Sequence, residues 1–159
     1  IVYPKLYRTA LYYMRNRQEA EDAVQDAVLT AYEKFYQLRD KEKFDPWLMQ
    51  ILVNRCRRRM KTWFRREEDI EELSLAREED LATASAVRQV FMELKQEDRL
   101  VVGLSVFGGY TSEEIAGILG KNHSTVRSRY RRALKKLEQE LLGEQSTGTG
   151  GKKRKEVRR

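Results

Sequence analysis

Apolar residues recur at helical spacing over most of the chain. Leu6, Ala10 and Met14 step along one face and predict a first helix, with Asn16-Arg17 as the connection after it. Ala20, Val24, Ala27, Val28, Ala31 and Phe35 trace a second helix of about five turns. Asp45-Pro46-Trp47 opens a third, because Asp caps free N–H groups and Pro suits a first turn. That helix is expected to run to about Phe64, with Leu48, Ile51, Leu52, Cys56 and Met60 on its core side. Strand-type alternation is not sustained anywhere, and there are only two prolines. The fold class is therefore all-α.

The pattern then breaks. Between Glu67 and Asp80 eight of fourteen residues are acidic and few are apolar, which predicts a flexible acidic linker over 67–84. Fully extended, such a segment reaches roughly 60 Å. Periodicity resumes with Val87, Val90, Phe91 and Leu94 and continues to about Leu142. Two small helical domains, 1–66 and 85–142, are expected on this tether. A Gly/Ser/Thr hinge and a basic tail, expected to be disordered, follow over 143–159.

Within the second domain Thr111-Ser112-Glu113-Glu114 matches a capping box, with Thr111 as N-cap and Glu114 reaching back. Ile115, Ala116 and Leu119 follow on a short amphipathic helix. Gly120-Lys121-Asn122 makes a tight turn, and Asn122 is placed to cap the next helix. Val126, Tyr130, Ala133, Leu134 and Leu137 give that helix a buried stripe. A short helix, a Gly-containing turn and a longer helix form a helix-turn-helix pattern. Ser124, Arg127, Ser128, Arg131 and Lys135 share its outer face. Arg127 and Arg131 suit guanine edges, and Thr125 and Ser128 suit phosphate or base contacts. Arg132, Lys135 and Lys136 read as phosphate neutralisers.

Charge agrees with a polyanionic partner: net charge is +7 and the pI about 9.5. A single cysteine, Cys56, excludes an internal disulfide, and it reads as a small buried apolar residue in a reducing compartment. One histidine, His123, with one cysteine cannot form a Cys/His zinc site. No Ser/His/Asp set or Gly-rich phosphate loop appears, so no catalytic residue, metal or cofactor is assigned. No apolar run reaches membrane-span length, and the expected location is cytoplasmic. The chain opens on Ile1, so a short preceding segment is expected.

Three motifs in register narrow the reading. DAVQ followed by AY spans 22–32, W-L-x-x-I-x-x-N spans 47–54, and TVRSR spans 125–129. Together they resemble the two-domain, extracytoplasmic-function group of bacterial RNA polymerase sigma factors, over residues 3 to about 142. The resemblance implies binding to core RNA polymerase through Asp22, Gln25, Asp26, Leu29 and Glu33 of the second helix. An ordinary solvated face is the alternative for that stripe. It also implies contact with a melted −10 element by Asn54, Arg55, Arg58 and Lys61. Those residues belong to a segment holding seven basic residues in twelve positions, 55–66. Asn54 would line a pocket for a flipped base, completed by the loop 38–44. Trp47 reads as core.

By the same resemblance Ser124, Thr125, Arg127, Ser128, Arg131, Arg132 and Lys135 would read a duplex −35 element. The linker would span two promoter boxes ~70 Å apart, and an anti-sigma factor is an expected partner. No small-molecule substrate is implied. A stand-alone helix-turn-helix regulator and a carboxylate-metal nucleic-acid enzyme are the alternatives. The block 20–61 argues against the first. The second would need Asp22, Asp26 and Glu33 to be completed as a metal site.

Overall fold

A computed structural model describes residues 2–65 and 82–147. Most of the predicted linker, the basic residue Arg66 and the KKRK tail lie outside those residues. The described chain contains seven α-helices and two single 3-10 turns, with no strand. The helices are α1 (Val2–Met14), α2 (Arg17–Lys34), α3 (Phe44–Arg65), α4 (Ala82–Glu93), α5 (Gln96–Val106), α6 (Ser112–Leu119) and α7 (His123–Thr147). Helix α4 takes in the last three positions assigned to the linker. Helix α7 runs five residues past Leu142, so the first part of the segment expected to be a disordered hinge is helical.

Helices α1 to α3 form one packed unit. Leu6, Ala10 and Met14 are buried as expected, together with Ala20, Val24, Ala27 and Ala31 of α2 and Leu48, Leu52, Cys56 and Met60 of α3. Arg15 adopts a left-handed conformation (φ 57°) that ends α1, and the Asn16 side chain accepts from the Glu19 N–H at 2.9 Å to start α2. Asp45 does not act as the cap expected of it. The helix has already begun at Phe44, and the Asp45 carboxylate takes Lys5 at 2.9 Å and the Tyr110 hydroxyl.

The second unit is α4 to α7. Both bonds of the capping box are present: Glu114 N–H to Thr111 Oγ1 at 3.2 Å, and Thr111 N–H to Glu114 Oε2 at 2.8 Å. Gly120 closes α6 in a left-handed conformation (φ 63°), which a residue with a Cβ rarely adopts. Before α6, a Cβ on Gly108 would meet the Leu104 carbonyl oxygen at 2.4 Å. A glycine there lets the chain turn closely enough to bring Tyr110 back onto the core.

The two units do not stand apart. Leu100, Val101 and Leu104 of α5, Tyr110, and Ile115, Ile118 and Leu119 of α6 share one buried cluster with the core of α1 to α3. Helix α5 lies on α1 and α6 lies on α3. Periodicity gave each helix an apolar face but not which partner that face meets.

Candidate nucleic-acid interface

Helix α7 is held by Val126 and Ala133, both 2% exposed, with Tyr130 and Leu137 packed beside Phe91, Met92, Leu94 and Val102. This seating leaves Ser124, Thr125, Arg127, Ser128, Arg131, Arg132 and Lys135 exposed on the outer side. Arg129 is the exception within the basic run, because it turns inward and pairs with Asp98 of α5 at 3.0 Å. Among the described residues Arg127, Arg131, Arg132, Lys135 and Lys136 have no ion-pair partner. A row of unpaired cations beside Ser124, Thr125 and Ser128 is chemically suited to phosphates and base edges. Leu134, expected in the buried stripe, is 38% exposed, because its angular position falls between the core seam and the basic face.

On α3 the basic run divides by what each side chain touches. Asn54, Arg58 and Lys61, spaced four and three residues apart, lie exposed on one side. Arg55 is drawn back toward the domain, donating to Thr30 Oγ1 of α2 at 2.8 Å. Arg57 points to the second unit, where it meets Glu97 at 3.0 Å and the Leu119 carbonyl at 3.3 Å. Trp47 is half-buried against the core beside Phe44, as expected for packing. Between α2 and α3 the chain makes two 3-10 turns, Phe35–Gln37 and Lys41–Lys43. Asp40 caps the second by accepting from the Glu42 N–H at 3.0 Å.

The stripe on α2 is divided too. Arg59 of α3 gathers Glu19 (3.1 Å), Asp22 (3.7 Å) and Asp26 (2.8 Å), so two of the five proposed docking residues already have a cation. Burial opposes the charge on Arg59, yet hydrogen bonds to Asp26 and Glu19 prevail and hold its pKa above the ordinary value. Its Nε is buried without a partner. Among the described residues no group of His, Cys, Asp and Glu is arranged to hold a metal ion. The carboxylates offered for a metal centre are occupied by a guanidinium or, at Glu33, point to solvent.

Gln25, Leu29 and Glu33 are exposed and have apolar company. Val28 and Phe35, expected in the core, are 44% and 46% exposed, and Leu29 (63%), Tyr32 (84%) and Tyr36 (81%) join them. Ala20, Ala23, Ala27 and Ala31, with Val24 among them, make the actual contact seam of α2, and the small side chains let the neighbouring helices approach closely. A run of alanines at the helical period was the signal available for this.

Comparison with known proteins gives these surfaces a context. Residues 2–68 match the family Sigma-70 region 2, and residues 84–137 match Sigma-70, region 4. The chain is 33% identical over 148 residues to the ECF RNA polymerase sigma factor SigM of Mycobacterium tuberculosis, covering 91% of this chain and 74% of that protein. It is 31% identical over 142 residues to the RNA polymerase sigma factor SigV of Bacillus subtilis, covering 87% and 85%. The sigma factor RpoE, solved in complex with the anti-sigma factor NepR from Bartonella quintana, shares the fold. The TM-score is 0.77 at 24% identity, over 89% of this chain and 92% of that one. CnrH, solved with the cytosolic domain of CnrY, superposes with a TM-score of 0.62 at 26% identity, over 87% and 81%.

Proposed function

We propose a division of promoter reading between the two units of this chain, which belongs to the extracytoplasmic-function (ECF) group of RNA polymerase sigma factors. The α7 face reads a duplex −35 element, with Arg127 and Arg131 on base edges and Ser124, Thr125, Ser128, Arg132 and Lys135 positioning the helix. Asn54, Arg58 and Lys61 of α3 engage the melted −10 element, with Arg55 joining if it leaves Thr30. Core polymerase docks on the outer side of α2. There Gln25, Leu29 and Glu33 are joined by Tyr32 and Tyr36, while Asp22 and Asp26 act at the edge of the patch from their pairing with Arg59. The protein performs no catalysis itself and works where the polymerase does, in the cytoplasm. An anti-sigma factor is its expected partner, in line with the complexes in which RpoE and CnrH were solved.

One observation carries this reading most: two separate exposed surfaces, one cationic and one apolar, fall on the two units that match the two sigma regions. A stand-alone DNA-binding regulator needs the cationic surface and has no use for the apolar one. Reconstitution with core RNA polymerase tests it. Co-elution with the core and promoter-specific run-off transcripts are expected. Failure of both, with tight binding to isolated duplex, supports the stand-alone regulator instead.

A further inference from the structure

The contact between the two units is built in an unusual way. Its polar part is largely a set of side-chain donors from one unit placed on helix-end carbonyls of the other. The last turn of α1 offers Tyr12 and Tyr13. Arg99 of α5 donates to Tyr12 O at 2.6 Å and to Tyr13 O at 3.3 Å, and Gln96 adds a bond to Tyr13 O at 3.2 Å. The last turn of α6 offers Gly117 and Leu119, which accept from Gln50 and Arg57 of α3, both at 3.3 Å. Arg99 also caps the end of α4, at Met92 O (3.1 Å) and Leu94 O (2.8 Å).

Arg99 is therefore a cation 4% exposed, bound to four carbonyls from two helix ends, with no carboxylate partner. Positive charge at helix C-termini is favourable. Burying it is not, and the cost of desolvation pulls its pKa down to about 10. Every carbonyl in this set can take water instead once the units separate. Among the described residues the remaining interdomain bonds are Tyr110 to Asp45, Tyr13 to Glu97 (3.3 Å) and the Arg57–Glu97 pair (3.0 Å). These too are groups that water satisfies. Such a contact closes by matching and opens without stranding a polar group.

We propose that Arg99 is the clasp of a closed state in which the chain inhibits itself without any partner. This rests on the sigma-factor reading for its consequence. A compact body of this length has a radius of gyration of about 15 Å, so the closed form cannot reach two boxes ~70 Å apart. Closure also commits Arg57 of the α3 basic run to Glu97 and Leu119. Opening the clasp is then a precondition for engaging polymerase and promoter together. The apparent affinity for the polymerase is reduced by the fraction of chains that are open.

Small-angle scattering of the full chain, with hydrogen exchange of the α6 amides, reads the clasp directly. Arg99→Ala is expected to raise the radius of gyration by several Å and speed exchange at Ile115 and Ile118, with helical circular dichroism retained. Arg99→Lys, which keeps the charge but has fewer donors in fixed geometry, is expected to fall between. Because Arg99 also caps α4, the pair Glu97→Gln and Tyr110→Phe, whose bonds cross the interface, is measured beside it and should open the chain likewise. If the open state is a minor population of at most ~10%, opened variants bind core polymerase roughly tenfold or more tightly. Unchanged scattering and exchange in both Arg99→Ala and the pair would overturn the clasp. So would opened variants that bind polymerase no better than a wild type that binds it. If neither wild type nor variants bind polymerase while scattering still shifts, the clasp is supported and the sigma-factor reading fails.

Discussion

Thr111→Ala is the perturbation whose size follows most directly from the structure. The Thr111 hydroxyl accepts from the Glu114 N–H, and the Glu114 carboxylate returns the bond to the Thr111 N–H. The substitution removes the first bond and leaves an N–H of the first turn to water. Loss of an N-cap of this kind costs about 1 kcal/mol, within a range of about 0.5–2. Glu114→Gln keeps an acceptor within reach but removes its charge from the positive end of α6, a loss of ~0.3–1 kcal/mol at low ionic strength. The two residues form one closed box, so their losses should be non-additive by ~0.5 kcal/mol or more in a double-mutant cycle. Helix α6 has eight residues, too short to hold itself without its caps and packing. The expected observation is a lower urea midpoint at constant slope, and a thermal midpoint lower by about 2–4 °C per kcal/mol. High salt should shrink the Glu114→Gln loss and spare the Thr111→Ala loss. A Thr111→Ala protein within ~0.3 kcal/mol of wild type, or strictly additive losses, would refute the assignment of the box as a stabilising unit.

Three further outcomes are expected. Arg127→Ala should weaken discrimination among upstream sequences, whereas Lys136→Ala should mainly lower the slope of log affinity against log salt, by about 0.9; equal, sequence-independent losses from both would contradict the division of α7. Tyr32→Ala, at an 84% exposed position, should weaken core-polymerase binding at least several-fold while moving stability by less than ~0.5 kcal/mol; unchanged affinity in a pull-down titration would remove α2 as the docking face. Burial raises the Cys56 thiol from 9.0 to about 12. The folded state holds that proton longer than the unfolded state, so the stabilisation is complete below pH 9 and lost as pH climbs toward 12, at up to about 1.4 kcal/mol per pH unit. Tyr13, raised by burial and Glu97 from 10.0 to about 12, adds to the same fall from pH 10 upward. Cys56→Ala should flatten the alkaline slope of stability measured by denaturation, and an unchanged slope would show that the thiol is not shielded.

By itself the sequence determined the helical class, the placement of α1, α3 and α6, and the glycine turn that ends α6. These rest on periodicity and on caps, both local: each concerns residues within a turn or two of one another. The outward row Ser124 to Lys135 was legible for the same reason, because a helix face follows from spacing alone. The tertiary structure decided which contacts those faces make. Val28 and Phe35 match a buried pattern yet lie outside, because the buried seam of α2 runs through Ala20, Ala23, Val24, Ala27 and Ala31, on the other side of the helix. Asp45 resembles a cap yet bonds Lys5 and Tyr110, which are 40 and 65 residues away. Arg99 carries no sequence signal at all. Its role arises only where the ends of α1 and α4 meet around it, since unpaired helix-end carbonyls attract a donor by position and not by residue type.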